Sequence, residues 1–192
     1  MPVANEDALS FLLNRRSRPA KTLGLPVPDA DALAPILQAG LRVPDHGKLE
    51  PWRLIVLEGA ALHRLAALTA ARGAALGYQA ERIAKAQSQF GDAQLVISVI
   101  AAPQPSEKVP EIEQLLSAGC VCLSLLNAAA ASGWGANWLT GWMALDRDFL
   151  AEGLGLEPHE FVAGFIHLGT ESSAPPERPR PDIAAKTNWV RD

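Results

Sequence analysis

The sequence predicts an α+β fold in a single domain, and three observations lead there. Three apolar, β-branched runs read as strands: WRLIVLE (Trp52 to Glu58), LVISVIA (Leu95 to Ala101) and FVAGFIHL (Phe161 to Leu168). Around them lie segments with helical spacing, above all the long apolar stretch from Leu115 to Gly133. Helices and strands mix without regular βαβ alternation, which argues against a doubly wound parallel sheet. At 192 residues the chain fits one domain, 1–192, and can bury a core without staples.

Each element has a local reason. Asn5 caps a helix from Glu6 to about Arg15, with Ala8, Leu9, Leu12 and Leu13 on one face. A second helix runs from near Asp29 or Ala34 to Leu41. Pro35 sits either in its first turn, where the missing N–H is harmless, or at a kink. Pro44 closes that helix, and DHGK makes a polar turn before the first strand. Residues Ala60 to Phe90 are rich in Ala with spaced charges and read as two helices broken near Gly73 to Gly77. Pro103 and Pro105 mark a loop after the second strand, and Pro110 suits the first turn of the core helix ending at Gly133. A short strand at Ala136 to Leu139 and a small helix near Asp146 to Gly153 precede the third long strand. After Gly169 the composition changes: Pro175, Pro176, Pro179 and Pro181 make an extended, semi-rigid piece. It reads as an arm, residues 170–192, lying on a partner subunit, or as a loose surface tail.

Composition narrows the function. Apolar residues are 48%, charged residues 20%, and the formal net charge is -4 with no run of like charges. Nucleic-acid binding by counterion release wants a basic patch, and none is visible. The N-terminus lacks the basic-then-apolar order of a secretion signal, and the Leu115 to Gly133 stretch, interrupted by Ser117, Ser124, Asn127 and Ser132, reads as a core helix and not a membrane span. A cytoplasmic location is the default. Cys120 and Cys122 are two apart in an apolar helix, poorly placed to share a ligand, and read as core thiols. With four scattered histidines (His46, His63, His159, His167) no metal site is expected.

Three clusters could carry chemistry. Arg15, Arg16 and Ser17 at the end of the first helix offer two guanidinium forks and a hydroxyl to a phosphate, although cations also favour a helix C-terminus for its own sake. Arg42, Asp45, His46, Gly47 and Lys48 form the loop before the first strand, where ligand groups gather and where an ordinary polar turn is equally at home. Trp134, Trp138 and Trp142 fall within nine residues around GANWLTG, flat aromatics that suit either a planar ligand or a core. No Walker loop, G-x-G-x-x-G or G-x-S-x-G is present. Acidic Glu111 and Glu113 look like a solvated helix start. With no protein nucleophile and no evident acid–base pair, an enzyme built on this sequence would rely on a cofactor.

Taken together, RRS, LQAGLRVPDHGKLEPWRLIVLEG, SAGCVCLSLLNAAAASGWGANWLTG and GFIHLGT, in that order, resemble the nitroreductase family and most of all its small YdjA-like branch. The resemblance spans about Ala8 to Trp189, and its most specific part is R-x-P-D-H-x-x-x-x-P-W-R, Arg42 to Arg53. It implies a central, mostly antiparallel sheet flanked by helices, in an intertwined homodimer that binds FMN at the subunit interface. Arg15, Arg16 and Ser17 would hold the FMN phosphate and ribityl chain. Arg42 and His46 would reach FMN from the other subunit, and Trp138, Leu139 and Thr140 would line the flavin. Ala128 to Gly133 matches the part associated with the nicotinamide nucleotide. Leu139 stands where a relative has Arg, so its contact is through backbone or apolar surface. Arg180, and less so Arg178, resembles basic residues that reach the phosphate in larger members.

The implied activity is an FMN-dependent NAD(P)H oxidoreductase, taking hydride from NADH or NADPH and giving it to a small electron-poor acceptor such as a nitroaromatic or quinone. Flavin carries that chemistry, so no catalytic side chain is named. A flavin-binding carrier or sensor without turnover is the alternative, and flavin-fragmenting or dehalogenating chemistry is a third.

Overall fold

Apolar side chains of strand Leu95–Ala101 are buried on both faces, so this segment must lie at the centre of a sheet covered on each side. The computed structural model, which describes residues 3–192, places it there. In chain order the elements are α1 (Glu6–Asn14), β1 (Leu23–Gly24), α2 (Ala30–Gly40), β2 (Trp52–Glu58), α3 (Ala60–Ala75), α4 (Ala80–Gly91), β3 (Leu95–Ala101), α5 (Glu111–Ala131), β4 (Gly135–Leu139), α6 (Arg147–Leu154), β5 (Phe161–Glu171) and α7 (Ile183–Lys186). Single 3-10 turns occupy Ala20–Thr22, His46–Lys48 and Trp142–Ala144.

All strand pairs are antiparallel. The path is β1-β5-β3-β2, with β4 paired to β5. The predicted α+β architecture, an antiparallel sheet flanked by helices, is therefore what the chain adopts. Alternation along β3 sorts the core into two layers. Val96 and Ile100 face Phe90, Phe149 and Phe165 beneath α3, α4 and α6. Leu95, Ile97 and Val99 face Val121, Leu125 and Ile36 beneath α5 and α2.

The helix ends follow their capping residues. Asn5 accepts from the Ala8 amide at 3.0 Å, Asp29 from Ala32 at 2.9 Å, and Asp146 from Phe149 at 2.7 Å. Pro35 lies inside α2, past its first turn, so α2 carries a missing hydrogen bond on a helix anchored by Leu33 and Ile36. Gly155, in the left-handed conformation at φ 65°, ends α6.

One expectation fails: the cysteines are not both core thiols. Residues two apart on a helix diverge by roughly 200°. Cys122 is buried, which pushes its thiol up to about 12, whereas Cys120 is exposed. It shares the outer face of α5 with Ile112, Leu116 and Leu123, spaced at helical intervals and exposed by 60%, 64% and 47%. The opposite face, including Ser117, Val121, Leu125 and Ala129, is buried against the sheet. By length and composition α5 could cross a membrane, but here it is the helix that covers one sheet face. Helix α1 buries none of its residues and exposes Leu9, Leu12 and Leu13.

Candidate functional site

Helix α1 stops at Asn14, and the chain turns extended at Arg15. Two hydrogen bonds then fasten the next residues to β4. The Arg18 amide donates to the Ala136 carbonyl at 2.9 Å, and the Asn137 side chain donates to the Arg18 carbonyl. Arg15, Arg16 and Ser17 are thereby held beside the strand that carries Trp138, so the first and third sequence clusters meet.

Among the described residues Arg15 and Arg16 form no ion pair; Glu171, which borders a recess with them, pairs with Arg18 at 3.1 Å. Arg15 donates to Ser17 Oγ and Arg16 to the Pro176 carbonyl, each at 3.0 Å. The Nε atoms of both are buried and have no partner among the described residues. Arg178 and Arg180 close the same recess, of about 360 Å³. The acidic residue nearest in sequence, Glu177, pairs with Arg180 at 3.0 Å, with both side chains more than half exposed. Burial first, and then the neighbouring Arg180 and Arg16 charges, lower the Arg15 pKa. A buried donor left unpaired costs roughly 1–3 kcal/mol, and clustered guanidinium groups repel. Both penalties are relieved by an anion with several oxygens, such as a phosphate.

On β4, side chains alternate. Trp138 pairs with Ile166 on the α5 side, and Leu139 pairs with Phe165 on the α4 side. Trp138 is 38% exposed, and its Nε1 donates to the Ala163 carbonyl at 3.3 Å. Its indole lies directly on Gly164, where a Cβ would overlap it. Thr140 is exposed at the strand end. Leu139 borders a second recess of about 350 Å³, lined also by Lys21, Lys85, Ser88, Gln89 and His167. Buried within this region, Gln89 Oε1 and His167 Nε2 have no partner among the described residues. Burial pushes His167 down to about 4, so its imidazole is neutral near pH 7.

Sequence reasoning missed this second recess. The signal was a polar residue, His167, inside the otherwise apolar FVAGFIHL strand.

His46 is not brought to the arginines of its own chain, and the Arg42 amide donates to the Ala39 carbonyl, which Ser124 of α5 also bonds. His46 Nδ1 lies 2.7 Å from Glu113 Oε2, in the first turn of α5. The arginine segment instead adjoins Ala130, Gly133 and Trp134 at the other end of α5. Twenty-one helical residues separate the two ends, about 30 Å. Glu113, read as a solvated helix start, is thus the partner of His46.

A model of the Nitroreductase family matches residues 13–170. The Escherichia coli K12 protein named as the NAD(P)H nitroreductase YdjA is 37% identical over 164 residues, covering 85% of this chain and 88% of its own. The fold matches a nitroreductase-like family protein from Bacillus cereus with TM-score 0.80, 21% identity and coverage of 99% of this chain and 98% of the other. It also matches a nitroreductase from Desulfovibrio desulfuricans solved in complex with FMN, with TM-score 0.74, 22% identity and coverage of 98% and 99%. A chain that matches the family along most of its length, and folds the same way, belongs to the nitroreductase family.

Proposed function

We propose that this protein is an FMN-dependent NAD(P)H oxidoreductase working as a homodimer, with a small electron-poor acceptor such as a nitroaromatic or quinone. The observation that carries this reading is the arginine recess, with two buried, unpartnered Nε atoms and an excess of cationic charge. The relatives, named as an NAD(P)H nitroreductase and a nitroreductase in complex with FMN, support the same cofactor and donor.

Arg15, Arg16 and Arg180 would hold the phosphate, and Ser17 the ribityl chain. Trp138, Leu139 and Thr140 would border the ring. Lys21, Gln89 and His167, with unused donors and acceptors in the second recess, suit the polar pyrimidine edge. A cation such as Lys21 aimed there lowers the cost of negative charge at that edge. When bound, FMN supplies the two-electron chemistry, accepting hydride from NADH or NADPH and passing it to the acceptor. The protein's task is to align donor and acceptor in turn over one ring face; Ala128 to Gly133, on the rim, would meet the nicotinamide nucleotide.

The dimer is part of the same proposal. His46 sits an α5 length from the arginines of its own chain. A two-fold axis across α5 would lay two such helices antiparallel, bringing the partner's His46 beside the recess. The exposed apolar stripe of α5 and the unburied face of α1 would meet in that contact. Thr170 and Glu171 complete β5 against β1. The rest of the 170–192 arm, with Ile183, Trp189 and Val190 each more than 70% exposed, would end on the partner. A cytoplasmic setting, where both nicotinamide nucleotides circulate, fits this reading.

The test is spectroscopic. Purified protein should take up FMN and turn yellow, and anaerobic NADH or NADPH should bleach the band. Failure to take up FMN would sink the proposal; uptake without bleaching would favour a flavin carrier or sensor.

A further inference from the structure

We infer that Glu113 is a positioning residue for the cofactor site: it fixes the imidazole of His46 so that Nε2 is the atom offered to FMN across the dimer interface. This rests on the reading that the partner's His46 touches FMN, and adds a residue that the RRS, Arg42–His46 and Trp138–Thr140 clusters do not contain.

The backbone under His46 is held rigidly. Asp45 accepts from the Leu49 and Glu50 amides at 3.1 and 2.9 Å. Ser117 of α5 donates to the Pro44 carbonyl at 2.6 Å and accepts from Trp52 Nε1 at 3.0 Å. Gly47, at φ 76°, makes the turn that brings the ring toward α5. The side chain itself has one anchor among the described residues, the 2.7 Å contact of Nδ1 with Glu113. That length is typical of a charge-assisted bond.

The pair's stability value is small. His46 and Glu113 side chains are 59% and 45% exposed, and ion pairs in water are worth about 0–1 kcal/mol. Its chemical consequence is larger. A carboxylate only accepts hydrogen bonds, so Nδ1 keeps its hydrogen and Nε2 is the free atom. Without Glu113 the imidazole regains both ring orientations about its last torsion and both tautomers. A site residue that must be ordered on binding binds less tightly than one already in place.

The experiment is a double-mutant cycle on the full-length protein, read by FMN fluorescence titration and thermal melting. Glu113→Ala and His46→Ala should each weaken FMN binding, the former by about tenfold, a size that corresponds to losing one oriented hydrogen bond. In the His46→Ala background, Glu113→Ala should have no further effect. Glu113→Asp should recover part of the affinity, and melting temperatures should stay near wild type. If either alanine variant does not fold, Glu113→Leu and His46→Leu, which can neither accept nor donate, complete the cycle. Wild-type protein that ignores FMN would overturn the oxidoreductase reading itself. Wild-type binding with Glu113→Ala unchanged, or with additive losses in the double variant, would overturn only the role of Glu113. His46→Ala binding FMN like wild type would do the same.

Discussion

The amide of Arg18 donates to the carbonyl of Ala136 at 2.9 Å, and together with the bond from the Asn137 side chain to the Arg18 carbonyl it ties the arginine segment to β4. The segment is therefore held through Arg18 and not through the guanidinium groups of Arg15 and Arg16, and removing a guanidinium should leave the scaffold intact. Arg16→Ala should weaken FMN binding by about 1.5–3 kcal/mol, the worth of a hydrogen bond to a charged group. Fluorescence titration checks this, and an unchanged affinity would remove Arg16 from the site.

Gly164 is needed by Trp138. A Cβ there would overlap the indole Nε1 and come within 2.6 Å of Cδ1 and 3.0 Å of Cys122 Sγ. The alternatives for Gly164→Ala are to swing the indole away, losing its bond to Ala163, or to bend β5. Overpacking of this kind costs about 1–3 kcal/mol. Chemical denaturation should show that loss, with a changed tryptophan emission spectrum.

Acid should act through two groups with opposite natural charge. Glu160 is buried and gripped by Arg53 through two bonds of 2.6 and 2.7 Å, which hold its carboxyl down at about 2. A depressed carboxylate stabilises the fold above its unfolded pKa, and that contribution is lost as pH falls from about 4.5 toward 2. His167 is buried neutral, with a folded pKa of about 4. The unfolded chain takes up this proton first, so stability falls as pH drops from about 6.5 to 4 and then levels for this group. His167→Gln should flatten the first interval by up to about 1.4 kcal/mol per pH unit. Glu160→Gln should flatten the second. Denaturation curves collected across pH 7 to 3 separate the two, and identical slopes in all three proteins would refute the assignment.

The outer face of α5 gives a prediction about assembly. Leu116 and Leu123 are exposed in the single chain, so charges there leave the fold undisturbed. In a dimer built on that face they would be buried and unpaired. Leu116→Glu with Leu123→Glu should raise the dimer dissociation constant by at least about a hundredfold and reduce FMN uptake with it. Sedimentation with absorbance at the flavin band reads both.

How much of this was legible in the sequence depends on whether the signal was local. Strands β2 and β3 were read to the residue because an unbroken apolar run bounded by Gly, Pro and polar residues has no other stable use. Strand β1 was not found: its two residues are a strand only because Glu171 and Thr170 lie opposite them. For the same reason β5 runs to Glu171, three residues past the expected end. The arginine segment, the His46 loop and the Trp138 strand were visible as motifs. Only the resemblance assigned Arg42 and His46 to the other subunit; the separation of His46 from the arginines rests on the length of α5, a property of the folded chain. Glu113 is the exposed helix start that was expected, but its contact with His46 was not legible, since an acidic residue in a first helical turn has a sufficient local explanation in the helix dipole.

The central claim is that two copies of this chain assemble one FMN site that takes hydride from a nicotinamide nucleotide. The most direct measurement is anaerobic stopped-flow mixing of the FMN-loaded protein, shown to be dimeric by sedimentation, with NADH and with NADPH. The account predicts bleaching of the flavin band by at least one of them, and recovery of the band when a nitroaromatic or quinone is added. A flavin-loaded monomer, or a dimer whose flavin neither nucleotide bleaches, would contradict it.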